Sequence, residues 1–77
     1  MNALANISQR DSNSASQFAA FFSLSQTQRR LAHRYKRWAL EDKAEGFMEL
    51  YAHHKAESNR LWQSAKWNLQ AARRAAQ

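Results

Sequence analysis

Apolar and polar positions alternate with a helical period through most of the chain. Leu24, Leu31, Tyr35 and Trp38 share one face of a helix turned by about 100° per residue, while Arg29, Arg30, Arg34, Lys36 and Arg37 cover the opposite half. Further along, Phe47, Tyr51, His54, Ser58, Leu61, Trp62, Ala65, Leu69, Ala72 and Ala76 form a second stripe, sustained for about eight turns. Upstream, Ser14 followed by Gln17 has the spacing of a capping box and places a helix start near Ala15. The apolar run over 18–24 must be buried somewhere. Ser23, Ser25 and Thr27 then weaken the helix, because their hydroxyls compete for backbone partners. The first helix therefore runs over 15–41, or breaks near 23–26 and restarts with Ser25 and Gln28 as a second cap, which would set off a short third helix at the N-terminal side.

Asp42-Lys-Ala-Glu45 reads as an N-cap with an acidic partner three residues on, so the second helix is predicted over 43–75. Gly46 has two readings. It caps the first helix, or it is the small residue that lets two helices approach just after a tight turn. The second is preferred, because nothing after Gly46 would cap a new helix. Residues 1–13 are rich in Asn, Ser and Gln and read as a flexible tail, leaving 14–77 as a single domain.

Composition agrees with an all-α fold. In 77 residues there are one glycine and no proline, too few for a turn-rich β fold. There is no cysteine, so neither a disulfide nor a thiolate zinc site can staple so short a chain. The remaining staple is association. A second helix of about 50 Å outruns what a compact monomer needs, so the expected architecture is an antiparallel two-helix hairpin that dimerises into a four-helix arrangement. Charge favours the hairpin, since 26–40 carries five basic groups and no acid whereas 41–57 carries five acids against two lysines. A turn at 41–43 would bring Trp38 to Phe47, Tyr35 to Leu50 and Tyr51, and Leu24 to Leu61. It would also bring Phe18, Phe21 and Phe22 near Trp62, Ala65 and Trp67. Trp62, Ala65, Leu69 and Ala72 are the expected contact with the second copy.

The run Asp42-Lys-Ala-Glu-Gly-Phe-Met-Glu-Leu-Tyr51 resembles the turn and second helix of a tetratricopeptide-type hairpin. The resemblance spans about ten residues without a repeat of about 34 residues. It implies helix–turn–helix packing and no activity.

Candidate chemistry is sparse. Glu49, His53 and Glu57 are spaced four apart and could chelate an ion, but pairing of the two glutamates with Lys36, Arg37 or Arg30 across the hairpin is the preferred reading. No metal or cofactor is expected. Of the three histidines, His33, His53 and His54, the last lies on the apolar stripe; histidines buried in an interface would make assembly depend on pH. There is no glycine-rich phosphate loop, and nothing holds Ser, His and Asp around a cleft, so no enzyme is expected.

The net charge of +6 points to acidic partners. The basic face of Arg29, Arg30, Arg34, Lys36 and Arg37, with Tyr35 or Trp38 as stacking rings, suits nucleic acid. Trp67 lies opposite its stripe. Either the N-terminal phenylalanines or a dimer cover it, or with Arg60, Lys66 and Arg74 it anchors a partner protein. The leading expectation is a small non-enzymatic protein that regulates or inhibits a partner by occupying an acidic or apolar surface, of the kind found among phage and mobile-element accessory proteins. A basic nucleic-acid-binding regulator is the alternative, and a structural component of a larger assembly the third. No run reaches the length of a membrane span and no signal peptide is evident, so a cytoplasmic protein is expected.

Overall fold

A computed structural model describes the backbone of residues 2–77 and the side chains from Asn13 onward. The expected flexible tail over 1–13 falls, Asn13 apart, on residues whose side chains lie outside that description. Two helices make up the described chain: α1, Asn2–Ala44, and α2, Met48–Ala76. They pack antiparallel as a hairpin, and no strand is present among the described residues.

Neither predicted interruption of the first helix occurs. Residues 2–44 contain no glycine or proline, and the chain is already helical at Ser14, so the capping box there starts nothing. The helix also runs unbroken through Ser23, Ser25 and Thr27. Ser25 does not compete for its own backbone, because its hydroxyl donates across the hairpin to the Ala65 carbonyl at 2.7 Å. A hydroxyl satisfied by tertiary contact no longer disfavours the helix that carries it.

The turn falls a few residues later than 41–43. Gly46 adopts φ +82°, its N–H donates to the Lys43 carbonyl at 3.1 Å, and the Phe47 N–H reaches back to the Asp42 carbonyl at 2.8 Å. These two bonds and the left-handed glycine are a Schellman C-cap. Gly46 therefore terminates α1, which corrects the preferred reading of a close-approach residue. Asp42 sits in the last turn of α1 and does not open α2. The N-cap of α2 is Phe47, which makes no side-chain capping bond, and Glu49 in the first turn supplies the favourable charge instead. Arg73 and Arg74 occupy the last turn, where cations suit the helix dipole.

Small residues form the seam. Ser25, Ala32 and Ala39 recur every seven residues on α1, and Ser58, Ala65 and Ala72 do so on α2, all of them buried. The two serines answer each other. Ser58 donates to the Ala32 carbonyl at 2.7 Å, mirroring the bond from Ser25 to Ala65. A hydroxyl on so short a side chain reaches the backbone of the other helix only where the helices lie close, as small side chains allow. Leu61, Asn68 and Ala71 complete the buried part of α2, and Asn68 donates to the Gln28 side-chain oxygen at 2.7 Å.

On a helical wheel this seam lies about 90° from the stripe of Leu24, Leu31, Tyr35 and Trp38 that the sequence singles out as the core face of α1. Those residues flank the seam. The register also moves, so that Tyr35 and Trp38 meet His54, with ring centroids 5.7 and 5.8 Å apart, instead of Leu50 and Phe47.

The result is a rod of 67 × 13 × 13 Å with a radius of gyration of 18.5 Å, against about 11–12 Å for a compact chain of this length. α1 outruns α2 by 14 residues, the difference between its 43 and the 29 of α2, or about 20 Å. No large side chain is fully buried among the described residues.

Candidate binding surfaces

Because the seam takes only small residues, the large side chains lie along the two flanks and the outer faces. On one flank Leu24, Leu31 and Trp38 repeat every seven residues along α1, beside Leu50 and Leu61 of α2. Leu61 is buried, whereas Leu24, Trp38 and Leu50 are exposed. Polar contacts bridge the helices near the same edge: Gln28 with Asn68, and Asp42 with the Nδ1 of His54. The histidine ring also packs against Tyr35 and Trp38. His54 is thus a hydrogen-bonded member of the helix contact.

The opposite flank is cationic and aromatic. Trp62 has the guanidinium of Arg29 at 5.9 Å and the ammonium of Lys66 at 5.7 Å from its ring centre, and His33 lies edge-on at 5.5 Å. Tyr51 is held in the same way, with Lys43 and Lys55 each 5.5 Å from its ring. Such contacts arise when cations are near aromatic faces and few carboxylates compete for them. Between the two rings runs an open groove of about 410 Å³, bordered by His33, Lys36, Leu40, Lys55 and Asn59. No carboxylate lines it among the described residues. The sequence reading missed this side, because it requires Trp62 and Tyr51 to be turned away from the seam.

The basic stretch of α1 divides between two surfaces. Arg29 turns to Trp62 and Lys36 to the groove, while Arg30, Arg34 and Arg37 surround His33 in a shallow patch next to it. Tyr35 and Trp38, the expected stacking rings, lie on the other flank and meet each other edge-on at 5.2 Å.

The Trp67 group is only partly assembled. Trp67 is 59% exposed, on the side of α2 facing away from the seam, and Arg60 and Arg74 lie seven residues to either side of it on the same outer line. Lys66 leaves this line for the Trp62 ring. The phenylalanines do not cover Trp67. Phe18 and Phe22 stack on each other at 5.6 Å, and a helix about 10 Å wide stands between them and the outer face of α2. Of the four residues expected to meet a second copy, Ala65 and Ala72 are buried against α1 of the same chain, and Trp62 and Leu69 are half-buried.

No protein-family model matches the chain, and no curated protein or solved structure is significantly similar to it.

Among the described residues, neither Glu49 nor Glu57 forms an ion pair across the hairpin. Glu57 binds Arg60 of its own helix through two bonds, at 2.9 and 3.2 Å. The hydrogen bond from Arg60 holds the Glu57 carboxyl below its usual value, and the same contact raises the guanidinium. His53 lies against the His54 ring, so Glu49, His53 and Glu57 do not converge as a ligand set among the described residues. No described helix is long and apolar enough to cross a membrane.

Proposed function

We propose that this chain is a small non-enzymatic binding protein that works as a homodimer and regulates or inhibits a partner protein by occupying its surface. One observation carries the reading: a seam of serine and alanine holds the hairpin, so among the described leucines and aromatics only Leu61 is buried and the rest are half-buried or exposed. Large apolar side chains exposed along a rod are covered by association. The second copy covers the flank of Leu24, Leu31 and Trp38, whose seven-residue spacing suits packing against another helix pair and builds the four-helix arrangement.

The outer line of Arg60, Trp67 and Arg74 then stays free for the partner. Tryptophan and arginine are the residue types that most often dominate binding energy at protein interfaces. The partner face that fits is an apolar pocket for Trp67 with carboxylates at its rim. Recovery of one protein from nuclease-treated lysate at high salt by the wild-type chain, and its loss with Trp67→Ala, is the expected outcome. Equal recovery by both chains removes Trp67 from the docking patch. A partner recovered only before nuclease treatment overturns the protein-binding reading.

A further inference from the structure

The cationic flank differs from the other surfaces in both charge and shape. Two half-buried aromatic rings, Trp62 and Tyr51, each lie between two cations, and an open groove joins them. The rings are eleven residues apart on one helix, or about 16 Å along it. Lys36 and Lys55 border the groove between them, His33 and Asn59 bring polar atoms to it, and the patch of Arg30, Arg34 and Arg37 extends the charge outward.

We infer that this flank binds single-stranded nucleic acid, with an unpaired base stacked on Trp62 and the adjoining phosphates on Arg29, Lys36, Lys55 and Lys66. Charge complementarity selects a polyanion, since no carboxylate lines the groove among the described residues. The rings select a single strand over a duplex, because only unpaired bases present a free face for stacking. A base takes the place of one of the two cations over the Trp62 ring, and the displaced group moves to a phosphate. The surface is built by both helices. It is separate from the Trp67 line and from the apolar flank, so it can be filled while either of those is engaged.

The test is fluorescence anisotropy of labelled oligo(dT) and oligo(U) of about 15 nucleotides with the full chain. A duplex of equal length and phosphatidylglycerol vesicles are the competitors. Binding to a single strand is expected to be at least about tenfold tighter than to the duplex, and the preference between oligo(dT) and oligo(U) assigns the sugar. With about four phosphates neutralised, the affinity should fall with salt at a logarithmic slope near −2.8, and Lys36→Gln with Lys55→Gln should reduce that slope by about 1.4. Trp62→Ala should weaken binding by about tenfold and Trp62→Phe much less. If circular dichroism finds Trp62→Ala unfolded, the double lysine variant decides by its slope, since neither lysine lies in the seam. Equal affinity for duplex and single strand with Trp62→Ala unchanged overturns the inference. So does binding to the vesicles without binding to either oligonucleotide.

Discussion

The two seam serines do what leucine does in most helix pairs, by a different route. Each hydroxyl is buried and bonded to a carbonyl of the other helix at 2.7 Å, so its desolvation is offset by a directed contact. Ser25→Ala and Ser58→Ala should each cost about 1 kcal/mol in urea unfolding at fixed protein concentration. The pair should be close to additive, because the sites lie about 10 Å apart along the rod. The Glu57–Arg60 pair behaves differently, being on the surface. Its carboxyl is depressed in the folded chain, so its contribution is present at neutral pH and is lost as pH falls through the folded value. Glu57→Gln should therefore lower stability slightly at pH 7, and the difference from wild type should vanish as pH falls through the folded value of the carboxyl. Paired pH-dependent melts check this.

Termination and separation of the helices determine the architecture at the level of the element. Gly46 at φ +82° has open space where a side chain would project, so a substitution there meets conformational strain and no clash. Gly46→Ala should cost about 1 kcal/mol, and Gly46→Asn less, because asparagine tolerates the left-handed region better. Thermal melts of the two variants rank them. Ala32 lies at the middle of the close approach and is 2% exposed. Ala32→Leu forces the helices apart and strains both serine bonds, so it should destabilise by about 1–3 kcal/mol. A loss that also increases the solvent exchange of amide protons near Ala65 and Ser58 would locate the damage at the seam.

For the whole molecule, an elongated hairpin with no fully buried large side chain among its described residues has little core of its own. In the proposed dimer, association would supply the missing burial. Sedimentation equilibrium is expected to return twice the 9.0 kDa chain mass, with thermal stability rising with protein concentration. Leu31→Glu with Trp38→Glu puts two charges into the apolar flank and should yield a 9.0 kDa species with a lower melting temperature. A wild-type chain that remains a monomer at high concentration would remove the dimer and leave the flank for a partner protein.

The sequence by itself determined that the protein is helical and that helices turn back on each other as a hairpin, with the turn expected at 41–43, a few residues before Gly46 where it falls. Those properties follow from local chemistry: the absence of proline, a single glycine, and periodic apolar positions that any folded form must respect. It also marked Trp67 as lying off the stripe. Tertiary structure alone decided which face of each helix forms the seam. Pattern reading weighs residues by size and apolarity, and so assigned Leu24, Leu31, Tyr35 and Trp38 to the core. The helices instead meet through Ser25, Ala32 and Ala39, where small side chains permit contact of backbone and hydroxyl. That rotation of about 90° brings Lys43 to Tyr51, and Arg29 and His33 to Trp62, residues that stand 8, 33 and 29 positions apart in the chain. Half of the cationic flank is local to α2, where Lys55 and Lys66 each stand four residues beyond their rings, whereas the contributions of Arg29, His33, Lys36 and Lys43 exist only once the two helices are joined at this seam and this register.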